Sequence, residues 1–161
     1  MSIARFWRET PRRYNLGGSR CTVCASVYFP PRVVCPSCSA HRASLGKMEP
    51  FQLSGDGTVL SYTVIHDPAE GFEMLVPYAL ALVQTPEGPV LTGEVVDMDP
   101  HEVRIGLTVH ATFRKLREEG KAGVIHYGYK FSPSEEAGRP PKPAEAPEPV
   151  GEPTPRGRAE A

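Results

Sequence analysis

Four cysteines are the residues of this chain best equipped for chemistry, and they stand in two pairs, Cys21-Thr-Val-Cys24 and Cys35-Pro-Ser-Cys38, with ten residues between the pairs. Two residues between cysteines let one tight turn aim both sulfurs at a single ion. Two such turns face to face supply the tetrahedral four-thiolate shell that Zn²⁺ accepts. A shell closed by Cys21, Cys24, Cys35 and Cys38 leaves no position where water or substrate is activated, so the expected metal is structural. The alternative is two disulfides, which need an oxidising compartment. The N-terminal Met-Ser-Ile-Ala-Arg-Phe-Trp-Arg has no apolar signal-peptide core, so a reduced, cytoplasmic zinc ribbon is the expectation. Ala25 and Ser39 follow the second cysteine of each pair, where glycine would give free access to positive φ. Each is expected to cost about 1 kcal/mol.

With every thiol assigned to metal, nucleophilic acyl transfer would need an activated serine, and no motif supplies one. Five histidines remain: His41, His66, His101, His110 and His126. His110 and His126 fall within predicted strands, where packing explains them. His66-Asp67 has the composition of an acid/base pair but lacks a placed nucleophile. The chain therefore reads as non-catalytic.

Charge is unevenly distributed. Residues 1–48 carry eight bases, Arg12, Arg13 and Arg32 among them, against the single acid Glu9, although the whole chain has a net charge of −1. Between Glu49 and Thr112 the only strong base is Arg104, set against ten acids. A basic head suggests a phosphate-bearing or acidic partner, with a solvated surface as the alternative. A strand-binding groove requires bases tracking phosphates and aromatics stacking bases. The acidic body argues against nucleic acid, and only the head keeps that reading open.

These residues must be positioned by a small, mainly β protein. Ser2-Ile-Ala-Arg-Phe-Trp-Arg-Glu predicts a short capped helix with Ile3, Phe6 and Trp7 on one side, which Pro11 ends or restarts with Thr10 as cap. Trp7 is expected either over the chain's own core or in a partner's groove. Residues 17–48 form the ribbon, with a short strand at Val27-Tyr28-Phe29 stopped by Pro30-Pro31. Such a module has almost no core, so metal must supply on the order of 10 kcal/mol of its folding free energy. Period-two alternation then predicts strands at Thr58–Ile65, Tyr78–Thr85, Val90–Val96, Thr108–Leu116 and Gly123–Phe131, with a helical turn around Pro100–Arg104. Five strands in that order suggest an OB-type barrel over 49–132. Residues 133–161 are read as a disordered Pro-rich tail, since eight of the eighteen prolines lie from Ser132 onward and the segment has too little apolar surface to fold. No stretch approaches the roughly 18 apolar residues of a membrane span.

The segments Arg5-Phe-Trp, Arg13-Tyr-Asn-Leu-Gly-Gly-Ser-Arg-Cys21, Tyr28-Phe-Pro-Pro-Arg32 and Cys35-Pro-Ser-Cys38 resemble a known family. So do Gly57-Thr-Val-Leu-Ser-Tyr-Thr-Val-Ile-His66, Val76-Pro-Tyr-Ala79, Val103-Arg-Ile-Gly106 and Gly128-Tyr-Lys-Phe131. This is the rubredoxin-like zinc-ribbon/OB-fold family long described as a domain of unknown function. The likeness runs in order over residues 5–132 and is strongest to archaeal members, the small third subunit of the acetoacetyl-CoA thiolase and 3-hydroxy-3-methylglutaryl-CoA synthase complex. The resemblance implies a non-catalytic scaffold of the mevalonate pathway that bridges the two enzymes at a shared CoA-binding region. It also leaves open a subunit serving a thiolase or hydratase that degrades lipid or steroid acyl-CoA. In that setting Arg12, Arg13 and Arg32 are the candidates for CoA phosphates, because guanidinium forks match phosphate oxygens. Trp7 and the loop from His66 to Tyr78, with Phe72, Met74 and Leu75, are the candidates for partner contact, and a flap over the barrel mouth is the loop's alternative role.

Overall fold

The computed structural model describes residues 3–40, 46–69, 71–118, 120 and 123–134. The side chains of Ile3 and Phe6, His41, and the tail beyond Ser134 lie outside the described residues. Helix α1 (Ile3–Asn15) runs unbroken through Pro11, where the sequence predicts an end or a restart. Proline removes one backbone donor and crowds the preceding turn. Here Arg13 spans that turn, donating from Nε and Nη2 to Glu9 Oε2 at 3.1 and 2.6 Å. Tyr14 then anchors the last turn by meeting the Phe113 ring edge-on at 5.0 Å. The helix stops at Leu16, which takes a left-handed φ of 51° yet is buried in the core.

Strand β1 (Gly17–Cys21) is the centre of a three-stranded antiparallel sheet, with β2 (Val27–Tyr28) on one side and β3 (Met48–Gln52) on the other. Helix α2 (Pro36–Ala40) carries Cys38, and Cys35 immediately precedes it. Strand β3 begins at the expected end of the ribbon and pairs with β1 along its whole length, Cys21 opposite Met48 and Gly17 opposite Gln52. The ribbon sheet thereby leads straight into the barrel.

The barrel consists of β4 (Asp56–Ile65), β5 (Tyr78–Gln84), β6 (Val90–Val95), β7 (Thr108–Glu118) and β8 (Ile125–Pro133), closed in the order β4-β5-β6-β8-β7. Asp56–Thr58 pair with Thr108–His110 to close it. A 3₁₀ turn, Pro100–Glu102, is capped by Asp99, whose carboxylate accepts the His101 N–H at 2.8 Å. The predicted five-stranded OB topology is the one observed. Alternation explains the core: Ala79, Ala81 and Val83 of β5 face inward with Val59, Leu91, Val95, Val109 and Phe131. Gly93 has no side chain because a Cβ there would lie 2.6 Å from the Phe131 ring. Leu16 and Leu53 enter the same core from the ribbon side, so helix, ribbon and barrel share one apolar interior.

Candidate metal site and ligand cleft

The four cysteines converge. Their sulfurs all lie within 4.8 Å of one another, contributed by the end of β1, the following turn, the residue before α2 and α2 itself. All four are free thiols, with Sγ···Sγ separations of 3.8 Å for Cys21 and Cys38 and 3.5 Å for Cys24 and Cys35. The disulfide alternative is not what the fold adopts. A tetrahedron with metal–sulfur bonds of about 2.3 Å has edges of about 3.8 Å, so these spacings fit a four-thiolate ion. Backbone turns support the cage, with Ala25 N–H donating to the Cys21 carbonyl and Ser39 N–H to that of Cys35, both at 3.0 Å. Val23 N–H points at Cys21 Sγ from 3.4 Å. Gly46 closes the back of the cage: a Cβ there would sit 2.6 Å from Cys21 Sγ and 3.2 Å from Cys38 Sγ.

The two knuckles differ. Ala25 has a φ of 59°, in the left-handed region expected for glycine, so its strain of about 1 kcal/mol is present. Ser39 lies within α2 and has no positive φ, so the matching expectation for the second knuckle is corrected. A helix carries Cys38 into place, and glycine is not needed there.

The sulfurs are electrostatically unequal. The Ser26 hydroxyl, 3.3 Å from Cys24 Sγ, and the Ser26 backbone hold Cys24 down to about 6. The Cys38 backbone lowers Cys35, whereas burial pushes Cys38 well above the usual thiol range.

A second site lies on the outer face of β5, β6 and β8. Helix α1 and the Phe29-Pro30 turn overhang this face and leave a cleft of about 630 Å³. Phe29, Phe72, Tyr78, Leu80 and Leu116 form apolar walls, and Arg12, Arg13 and Glu9 form the helical rim. The Phe72 and Tyr78 rings pack with centroids 6.0 Å apart. At the floor Lys130 Nζ meets Glu94 Oε2 at 2.6 Å, with side chains only 5% and 13% exposed. Beside them Tyr129 donates to the Thr92 carbonyl at 3.5 Å, and burial raises its phenol above the usual value although the Arg13 charge opposes this.

Four of the eight non-cysteine candidates from the sequence thus meet in one cleft: Arg12, Arg13, Phe72 and Tyr78. Arg32 is apart from it, its guanidinium 5.8 Å from the Tyr28 ring centre on the ribbon. Met74 projects into solvent at 95% exposure and Leu75 at 38%. Trp7 is 72% exposed, so it does not cover the chain's own core. Sequence reasoning missed Lys130, Glu94 and Gly46. Lys130 alternates outward between Tyr129 and Phe131, which reads as a solvated lysine until α1 is known to lie over it.

Profiles of two domains match the chain: the ChsH2 rubredoxin-like zinc ribbon domain over residues 8–42 and the ChsH2 C-terminal OB-fold domain over residues 51–114. A protein of Methanothermobacter thermautotrophicus described as a DUF35 domain-containing scaffold protein is 46% identical over 129 residues, covering 80% of this chain and 94% of the relative. The chain belongs to the DUF35 zinc-ribbon/OB-fold family. A probable enoyl-CoA hydratase alpha subunit of Thermomonospora curvata is 34% identical over 105 residues, which are 65% of this chain but only 31% of that subunit. Among solved structures, the Ltp2-ChsH2(DUF35) aldolase superposes with a TM-score of 0.59 at 28% identity, covering 83% of this chain and 96% of that chain. In this DUF35 chain the ribbon carries four cysteines positioned to bind a metal. No helix among the described residues is long and apolar enough to cross a membrane.

Proposed function

We propose that this DUF35 chain is a non-catalytic, cytoplasmic scaffold that joins an acetoacetyl-CoA thiolase to a 3-hydroxy-3-methylglutaryl-CoA synthase in the mevalonate pathway. The observation that carries the reading is the closure of every thiol into one metal cage, which leaves the chain without the cysteine nucleophile both reactions use. The nucleophiles then belong to the partners, in keeping with the scaffold description of the archaeal relative. The ion is structural Zn²⁺ held by Cys21, Cys24, Cys35 and Cys38. Thiolase condensation is unfavourable alone, and capture of acetoacetyl-CoA by a tethered synthase pulls it forward.

Exposed Trp7, Met74 and Leu75 supply apolar anchors for the enzymes. Arg12 and Arg13 at the cleft rim, with Arg32 on the ribbon, attract the phosphates of CoA. Purification of the tagged chain from its native host tests the assignment. Recovery of a thiolase together with a synthase supports it, and recovery of neither overturns it. The hydratase-type relative and the aldolase complex favour a second reading, a subunit serving an acyl-CoA-degrading enzyme. A lone thiolase or a hydratase in the same pull-down would select that reading.

A further inference from the structure

The strand edges of this fold are guarded unequally. Strand β2 is two residues long, and the free edge of β3 carries Glu49 and Pro50. That of β7 carries Arg114, Lys115, Arg117 and Glu118, and β6 is screened at Thr92, whose carbonyl accepts the Tyr129 hydroxyl. Short strands, charges, prolines and covering side chains keep an edge from pairing with another chain. Strand β4 has no charge and no proline from Thr58 to Ile65. Its first residues pair with β7, and Val59 turns to the same side: its N–H donates to the Leu107 carbonyl at 2.9 Å and its carbonyl accepts the Gly106 N–H at 2.8 Å. Past Val59, no backbone hydrogen bond among the described residues reaches this edge. Leu60, Ser61, Tyr62 and Thr63 are all exposed. The bulge at Leu60 resets the register, so Ser61, Thr63 and Ile65 bond to Leu82, Leu80 and Tyr78 of β5. The N–H and C=O groups of Tyr62 and Val64 therefore point outward, with no partner among the described residues.

We infer that the Leu60–Ile65 edge is a dimerisation strand, which pairs antiparallel with the same edge of a second copy of this chain about a twofold axis through Thr63. A twofold normal to the sheet leaves each side chain on its own face, so residues of like parity must pair, and the bonded ones must be those that point outward. Centring on Thr63 meets both conditions. Tyr62 then stands opposite Val64 of the second copy, each exchanging N–H and C=O with the other, and the same pair recurs across the axis. Each pair sets an aromatic ring against a β-branched side chain. Two copies bring no like charges together along this segment, and a chain of net charge −1 repels its own copy only weakly. The edge is thus complementary to itself, which is the condition for an isologous contact. A strand from a different protein would need a matching free edge, and nothing in this segment selects one. Exposed Ile105, next to the Gly106 that bonds Val59, extends the apolar margin. The inference goes beyond the proposed pathway role and does not depend on it. A scaffold paired in this way presents two ribbons and two clefts.

Sedimentation equilibrium of the full, metal-loaded chain, joined to amide hydrogen exchange at low and high protein concentration, tests it. A monomer–dimer equilibrium is expected, in which the Tyr62 and Val64 amides gain protection as concentration rises. The Ser61 and Thr63 amides, bonded to β5, should be protected throughout. Tyr62→Pro removes an outward donor that the β4–β5 pairing does not use, and proline is tolerated on such an edge. It should raise the dimer Kd about 10- to 100-fold through one lost hydrogen bond in each copy. If β6 amides lose protection and show that this variant misfolds, Tyr62→Lys, which sets two like charges near the axis, should weaken the dimer in its place. Val33→Lys, at an exposed apolar position of the ribbon, should leave the dimer unchanged. A chain that stays monomeric up to about 1 mM overturns the inference, since even weak association shows there. So does a dimer whose Tyr62 and Val64 amides stay unprotected, or one that survives a folded Tyr62 variant. Protection of this edge only when a partner enzyme is added likewise overturns a second copy as its occupant.

Discussion

The ribbon and the barrel are held together by different physics. Among the described residues of the ribbon the buried cluster is Cys21, Cys35 and Cys38, with Tyr28 and Met48 packed against it. In the barrel Val59, Val83, Leu91, Val109 and Phe131 are part of a closed apolar interior. One region has four thiols positioned to bind an ion whose free energy would substitute for a core, while the other depends on apolar area removed from water. The contrast teaches that damage should stay on its own side, except at Leu16 and Leu53, where the two interiors meet.

Loss of the ion should produce the largest effect. Cys35→Ser, or chelation, is expected to remove on the order of 10 kcal/mol from the ribbon. Hydrogen exchange should then show the amides of β1 and β2 losing protection while β5 and β6 keep theirs. Equal loss in both regions would break the comparison. Protons compete with the metal for thiols, so affinity should fall as pH is lowered, and burial, which pushes Cys38 upward, adds to this at that sulfur. A competing chelator followed between about pH 5.5 and 8 measures this.

Phe131→Ala should come next, at about 3–5 kcal/mol, because it empties the centre of the barrel. Denaturant melting of the barrel with the zinc-to-protein ratio unchanged is the expected result. Gly46→Ala is the reciprocal test. Its Cβ would enter the space of Cys21 Sγ, so metal affinity should fall at least tenfold, about 1.4 kcal/mol, with little change in barrel stability. The smallest effects sharpen the difference between knuckles. Ala25→Gly should stabilise by about 0.5–1 kcal/mol by relieving a positive φ, whereas Ser39→Gly should destabilise by a similar amount because it places glycine in α2. Thermal shifts of the metal-loaded protein compare the pair.

Legibility in the sequence followed the range of the interactions. Alternation along Tyr78–Gln84 and Val90–Val95 marked the barrel strands to within a residue or two, because a strand with one buried face must repeat every second residue. Cysteine spacing marked the cage for a similar local reason. Local rules failed at Pro11, where the Glu9–Arg13 pair and Tyr14 on Phe113 carry the helix past a residue that usually ends one. They also failed at Ser39, since a knuckle built on a helix and a knuckle built on a turn have the same Cys-x-x-Cys spelling. Met48–Gln52 has no clear alternation, and only its pairing with β1 makes it a strand of the ribbon sheet.

The sequence by itself determined the four cysteines positioned to bind a metal and the five strands of the barrel. Each of these is written in short-range spacing, and tight turns and pleated strands convert that spacing directly into geometry. Only the tertiary structure decided that Arg12, Arg13, Phe72 and Tyr78 share one cleft, and that Lys130 with Glu94 forms its floor. Those residues come from α1, the β4–β5 loop, β5, β6 and β8, and their meeting depends on where the helix packs over the barrel. No local period records that packing, since it minimises the exposed apolar area of the whole fold.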